Sequence, residues 1–259
     1  MKKILYILVV LTTSFLACKK GTLVESTPYT KINAGDPAYS YLRFINVAPG
    51  SPVVNYYLGD VRSSGNYNAL TGETGFGYVS IFPISSGQYL PIAPGTNKVD
   101  AKIVATATVD KGLNVFNSTI NTEGGKYYTM FLNGSYGADK KIPSSLLLEE
   151  VKPKLDTSKV LIRLVNLYSG ATGNMDVLQN ATGQSLISNI AFNNASGFVE
   201  IPLPGQSNVY QIRVAGTTTP LTINFTPVLS KGQAYTFVTS GIAGSTTFPF
   251  RINSYTSFY

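Results

Sequence analysis

Thirteen carboxylates, one cysteine and no histidine are the groups on which any chemistry in this 259-residue chain must rest. Without imidazole there is no Ser-His-Asp or Cys-His nucleophile and no His-containing metal site. One cysteine excludes an intrachain disulfide. Gly124-Gly125-Lys126 fails as a phosphate loop, because Tyr127 follows where Ser or Thr would be needed. Asp176 stands among neutral neighbours and lacks the company of acids that a calcium loop requires. No metal, no cofactor and no catalytic residue is therefore expected. The enzymatic route left open is a glycan-active hydrolase with paired carboxylates, which must lie within ~10 Å of each other. Asp60 and Glu73 flank one long loop and are its best pair. Glu149 and Glu150 are adjacent, but neighbours on a strand point to opposite faces.

Binding has more material. The run from Val61 to Tyr78 is Gly-rich and polar, punctuated by Tyr67, Phe76 and Tyr78. Long loops in compact domains carry function, and Tyr with Asn, Ser and Gly makes rigid, amphipathic recognition surface at low entropic cost. Arg62, Tyr67, Asn68 and Tyr78 are the candidate ligand-binding residues, although alternation over Phe76–Pro83 favours Phe76 and Tyr78 as inward residues of a following strand. The chain has no tryptophan, which counts mildly against a glycan platform and leaves a protein ligand open.

The elements that must position these residues are strands. Only 13% of residues are charged and 44% are hydrophobic, enough for a core. Self-similarity is internal: Leu42-Arg-Phe-Ile-Asn-Val47 recurs as Ile162-Arg-Leu-Val-Asn-Leu167, and the Gly87–Gly95 block recurs as Gly197–Gly205. Gly125-Lys-Tyr-Tyr-Thr129 recurs as Gly232-Gln-Ala-Tyr-Thr236. Three blocks in one order mean a duplication, with insertions in the first copy. Within each copy apolar and polar residues alternate with period two, and turns fall at Pro49-Gly50, Pro94-Gly95 and Lys231-Gly232. The expected fold is all-β, two tandem antiparallel β-sandwiches of immunoglobulin-like or transthyretin-like type. The expected domains are residues 39–151 and 159–259, joined by a 152–158 linker. The terminal Phe248, Phe250 and Ile252 are expected to face into the second sandwich.

Ahead of them stands an address. Lys2 and Lys3 precede an apolar run ending at Ala17, which is shorter than the ~20 residues of a membrane-spanning helix. Residues 1–17 resemble a lipoprotein signal peptide, and Cys18 is the expected lipidation site, its thiol being the group most readily alkylated. Residues 18–38 read as a flexible tether. The formal charge of +7 suits anionic envelope surfaces, and no nucleic-acid partner is expected of an exported protein.

Taken together, Leu42–Pro49, Val53–Tyr56, Tyr89…Pro94-Gly95, Gly125–Leu132, Leu146–Glu150 and Val160–Leu167 resemble the tandem proteins of the domain of unknown function 4397 family. The family pattern carries an Asp in the strand after the first turn; copy two keeps it as Asp176, and copy one has Asn55. The resemblance implies β-sandwich domains on the cell surface or in the periplasm and supplies no catalytic residues; the expected place is the outer membrane, on either face. The expectation is a non-enzymatic, lipid-anchored protein for adhesion or for binding a glycan or protein ligand. A structural envelope subunit without a ligand is the further alternative.

Overall fold

The computed structural model describes residues 31–85, 87–202 and 208–258. The expected signal peptide and Cys18 lie outside the described residues. Ala34–Tyr259 form one compact unit, and among its described residues there are strands and turns but no α-helix.

The first repeat opens with β1 (Ser40–Asn46), β2 (Val54–Leu58), β3 (Val61–Arg62), β4 (Asn66–Asn68) and β5 (Gly72–Thr74). It continues through β6 (Ser80–Phe82), β7 (Leu90–Ile92), β8 (Gly95–Ile103), β9 (Asn114–Thr122), β10 (Tyr127–Asn133) and β11 (Ser144–Glu149). The second repeat has β12 (Lys159–Asn166), β13 (Met175–Gln179), β14 (Ser185–Ile190), β15 (Asn194–Ala195) and β16 (Val199–Pro202). It closes with β17 (Tyr210–Val214), β18 (Pro220–Phe225), β19 (Ala234–Ser240) and β20 (Arg251–Phe258).

Each repeat is a sandwich of two sheets. In the first, β3-β2-β8-β9 form one sheet, and β11-β10-β1 with β6 and β7 form the other. In the second, the matching sheets are β14-β13-β17-β18 and β20-β19-β12 with β15 and β16. The pairings are antiparallel with one exception per repeat. β1 runs parallel to β10, and β12 runs parallel to β19. A parallel neighbour needs a long crossover, and each repeat supplies one by sending the chain through its other sheet. Registers repeat as well: Arg43 faces Thr129 across the parallel pair, as Arg163 faces Thr236.

Burial on both sides of β1 and β12 shows how the repeats are arranged. All seven residues of β1 are buried. Leu42 and Phe44 enter the first core with Val54, Tyr56, Val99 and Ala101. Ile162 and Leu164 enter the second core with Met175, Val177, Ile212 and Phe237. The alternate residues Ile45 and Val47 pack with Phe131, Val165, Leu167 and Val238 in a third core that draws on both repeats. The sheets therefore stack in four layers, the two inner sheets sharing a buried seam. Because side chains alternate along a strand, a strand in an inner sheet feeds two cores at once. At the end of β1 Asn46 turns the chain, its Oδ1 accepting the Ala48 N–H at 3.2 Å, as Asn166 does for Tyr168 at 3.2 Å.

Phe250 and Ile252 pack against the second core as expected. Phe248 does not follow them: its ring stands edge-on to Tyr78 of the first repeat at 5.9 Å. It is held in the turn before β20, where its N–H donates to Ser245 Oγ at 3.0 Å and its carbonyl accepts the Ile242 N–H at 2.8 Å.

Candidate functional site

The insertion that lengthens the first repeat is folded. β2 returns as β3 through Gly59-Asp60, pairing Tyr57 with Arg62. Ser64 then draws the chain back, its buried hydroxyl accepting the Tyr56 N–H at 2.7 Å and donating to Asn55 Oδ1 at 3.2 Å. β4 and β5 form a small hairpin in which Tyr67 lies opposite Glu73. At its tip Asn68 Oδ1 accepts the Leu70 and Thr71 N–H groups at 2.8 and 3.3 Å, an Asx turn. This leaves Tyr67 75% exposed and Leu70 95% exposed.

Glu73 anchors the hairpin. Its Oε1 accepts from Arg62 Nη1 at 2.6 Å and from Asn55 Nδ2, and its carbonyl accepts from Thr106 Oγ1 at 2.8 Å. Gly75 lets the hairpin lie against the sandwich, since a Cβ there would fall 2.5 Å from both Val54 O and Val104 Cγ1. Between hairpin and sandwich runs a groove of about 650 Å³, walled by Val53, Glu73, Thr74, Thr106 and Val109 among others. Exposed Val53 and Val109 give it apolar walls.

Of the residues singled out in the sequence, Arg62, Tyr67 and Asn68 belong to this structure, Arg62 and Asn68 holding its shape and Tyr67 displayed on it. Tyr78 stands elsewhere. Its hydroxyl bonds to Ser240 Oγ at 3.2 Å, and its ring meets Phe248, so it links the repeats. Phe76 is buried in the first core. Asp60 forms no ion pair among the described residues, while Glu73 is held by Arg62 and Asn55. In the second repeat Asp176, at the register of Asn55, pairs with Arg213 Nε at 3.6 Å and accepts the Asn189 N–H at 2.8 Å.

A second concentration of polar groups lies in the seam and was not apparent from the sequence. Arg43 is 1% exposed and Arg163 is 4% exposed. Glu150, one residue past β11, sits between them. Its Oε1 accepts from Arg43 Nη2 at 3.2 Å, and its Oε2 accepts from Arg163 Nη2. Each arginine also bonds its facing threonine: Arg43 Nη2 to Thr129 Oγ1 at 2.9 Å, Arg163 Nε to Thr236 Oγ1 at 2.7 Å. Aromatic rings cover both cations, Tyr89 at 4.8 Å from Arg43 and Phe198 at 4.6 Å from Arg163.

The symmetry breaks at the acid. Thr129 Oγ1 donates to Glu150 Oε1 at 2.6 Å, whereas Thr236 Oγ1 is 2.6 Å from Ser257 Oγ. Ser257 thus takes in the second repeat the contact that Glu150 makes in the first, and one carboxylate serves two guanidiniums. Buried Arg43 Nη1 and the hydroxyls of Tyr89 and Tyr255 have no hydrogen-bond partner among the described residues. Burial pushes both tyrosines up to about 12, against the pull of Arg43 in the other direction. Over this cluster opens a crevice of about 510 Å³, whose lining includes Tyr89, Tyr127, Glu150, Ser257 and Phe258. Glu149, pointing the other way from Glu150, is at the surface with Lys126, 3.4 Å away.

The sequence signal for this cluster was the arginine that both copies place between core residues of the first strand. An arginine on a sandwich strand reads as solvent-facing when its outer face is taken to be free.

The architecture is all-β, two sandwiches of matching topology that share a buried seam between their inner sheets. The chain belongs to the family described as Domain of unknown function (DUF4397), whose model matches residues 40–178. That match runs through the first repeat and into β13 of the second. No curated protein matches the chain. Among solved structures, a "putative cell adhesion protein" from Bacteroides ovatus aligns at 11% identity with a TM-score of 0.16, covering 88% of this chain and 99% of that one. Another of the same description, from Bacteroides eggerthii, aligns at 14% identity with a TM-score of 0.18, covering 87% and 98%. Scores this low carry neither the fold nor the function of this chain.

Proposed function

We propose that the chain is a non-enzymatic protein of the cell envelope, anchored in the outer membrane by lipid on Cys18, that adheres by binding a glycan or protein ligand. The observation that carries this reading is the hairpin of the first repeat. It spends a strongly exposed Tyr67 and Leu70 on solvent beside a groove of about 650 Å³, a volume within the range of small-ligand sites. In the second repeat the chain passes from β14 to β15 through Ala191–Asn193 alone, with no inserted hairpin. An exposed aromatic on a braced hairpin suits recognition, because little entropy remains to be lost on binding. The hydrolase alternative gains no support from the pair it needs, since Glu73 is engaged by Arg62 and Asn55.

The test is binding of the full chain to a glycan panel and to envelope-protein extracts, with Tyr67→Ala beside it. The reading expects a ligand whose affinity falls roughly tenfold or more in the variant, as for an aromatic anchor. Equal binding by both proteins removes the hairpin from the site. A blank panel with a stable complex of envelope proteins makes the chain a structural subunit, and turnover lost in Glu73→Gln makes it a hydrolase. For the anchor, Cys18→Ala should move the protein from the membrane to the soluble fraction.

A further inference from the structure

The outer sheets of the two repeats end differently, and one of their edges is left open. β3 has only two residues, and β14 and β18 each pair through two register shifts. β18 also begins at Pro220. Short length, bulges and proline are the devices by which proteins keep a sheet edge from pairing further. β9, the last strand of its sheet, has none of them from Phe116 to Thr122, where its pairing with β8 is regular. From Gly112 to Thr122 the sequence holds no charge and no proline.

Hydrogen bonding shows which groups that edge presents. Lys98 O accepts the Gly59 N–H at 2.8 Å, so Lys98 addresses the β2 side. The N–H and C=O of one residue point to the same side of an antiparallel strand, and the sides alternate. Thr119, opposite Lys98, therefore turns its N–H and C=O outward, as do Asn117 and Asn121. No strand among the described residues pairs with that side, and all three side chains are exposed. The free run is closed at both ends. Val115 O accepts the Ile142 N–H at 2.8 Å, and the Glu123 N–H donates to Tyr128 Oη at 3.1 Å. What remains is Asn117-Ser118-Thr119-Ile120-Asn121, with an asparagine at each end and Thr119 at its centre.

That run is its own complement. Set antiparallel to a second copy about a two-fold axis at Thr119, it places Thr119 opposite Thr119 and each Asn117 opposite Asn121. Every outward N–H and C=O of the three residues is then used, in a contact of the isologous kind. Centring the axis on Ser118 or Ile120 instead sets Val115 or Glu123, already bonded, against a free residue. Asn121 Oδ1 accepts from Thr96 Oγ1 at 2.7 Å, which leaves its amide N–H groups for Asn117 of the second copy. Threonines facing each other across strands add to the pairing. We propose that the chain pairs with a second copy of itself through β9, joining two outer sheets into one. The edge is short, so the interface is small and the pairing reversible. It uses neither the hairpin nor its groove and does not rest on the adhesion reading.

Sedimentation of the full chain in detergent, over a range of concentrations, is the test. A monomer–dimer equilibrium is expected. A chain that stays monomeric up to ~1 mM overturns the proposal and leaves the edge to a strand of another protein. Thr119→Pro removes an N–H that points away from the sheet, so its melting temperature at low concentration should stay close to wild type. Its dimer should dissociate at least ~tenfold more readily, and an unchanged dimer overturns the proposal. Thr119→Lys and Thr119→Glu each set like charges face to face on the axis. Either alone should pair severalfold more weakly than wild type at low salt, and an equimolar mixture should recover the dimer as opposite charges meet. A mixture that pairs no better than its components overturns the two-fold register. Tyr67→Ala should dimerise as wild type does; a loss there would move the contact to the hairpin and also overturn the assignment.

Discussion

Arg43 and Arg163 hold the same place in two copies of one strand, with the same facing threonine and an aromatic ring above each. Their surroundings nevertheless differ. Arg43 has a carboxylate from its own repeat, and Arg163 reaches across the seam to borrow it. In the first repeat the threonine donates to that acid; in the second it meets a serine. The two inner sheets each bring a buried arginine to the seam, where the two would repel, and a single acid just past β11 turns the repulsion into a joint. The comparison teaches that the repeats are not two domains in casual contact. The first repeat supplies the acid for its own arginine, and the second repeat's arginine depends on that same acid.

The sharpest way to break this comparison is to remove the shared acid. Glu150→Gln keeps the shape of the side chain and leaves two buried guanidiniums without a counter-charge. Breaking a buried ion pair from one side costs ~3–5 kcal/mol, and that loss is expected in urea unfolding of the full chain. Replacing all three charges, as Arg43→Met, Glu150→Leu and Arg163→Met together, should recover most of it, because no charge is then stranded. A Glu150→Gln protein within ~1 kcal/mol of wild type, a change ordinary for an exposed side chain, would mean that the acid does not join the repeats.

A second contrast is the hairpin, present in one repeat and absent from the other. It lies close to the sandwich because Gly75 has no side chain. Gly75→Ala forces a methyl against Val54 O and Val104, and overpacking of this kind costs ~1–3 kcal/mol. Cleavage by a non-specific protease within residues 66–74 should quicken in the variant, while the second repeat's strands stay equally protected in hydrogen exchange. Unchanged cleavage would show that the hairpin is held by Glu73 rather than by close backbone approach.

These two regions were unequally legible in the sequence. The repeat, the strands and the sandwich were written in period-two alternation and recurring turns, because burial of one strand face imposes that period whatever lies outside. Leu42 and Phe44 were readable as core for that reason. Arg43 was not readable as buried, since a polar residue on the outer face has the same spacing whether it meets water or another sheet. Only the partner sheet decides, and that partner is distant in the chain. Glu150 was legible halfway: alternation separates it from Glu149, but not which of the two goes inward. In the loop, Tyr67 and Tyr78 looked alike as aromatics between small residues, and their fates diverge through contacts with Glu73's hairpin and with Phe248. The parallel β1–β10 pairing also left no local mark, because register across a crossover is set by tertiary packing.

The finest distinction between the halves is the ring over each arginine, a tyrosine in one and a phenylalanine in the other. It converts the structural comparison into a pH dependence. Burial holds the Tyr89 proton to a pKa of about 12, against 10.0 when free, with Arg43 opposing the shift. The unfolded chain therefore loses this proton first, near pH 10, and the folded chain follows only near pH 12. Below the lower value both states keep it, and it contributes nothing to the balance. Between those values unfolding releases a proton, so stability falls by up to ~1.4 kcal/mol per pH unit for this one group. Tyr255 and Tyr210, each raised by burial to about 12, add their own slopes over the same window. Tyr89→Phe makes the first repeat's ring like the second's and should remove one proton's share of the alkaline slope. At pH 7 the variant should stay within ~1 kcal/mol of wild type, because the hydroxyl it loses has no hydrogen-bond partner among the described residues. Phe198→Tyr is the opposite exchange and should steepen the slope where its hydroxyl is equally enclosed. Urea unfolding at intervals from about pH 9 to 12 measures both, and equal slopes in wild type and Tyr89→Phe would place the Tyr89 hydroxyl in water rather than over a buried cation.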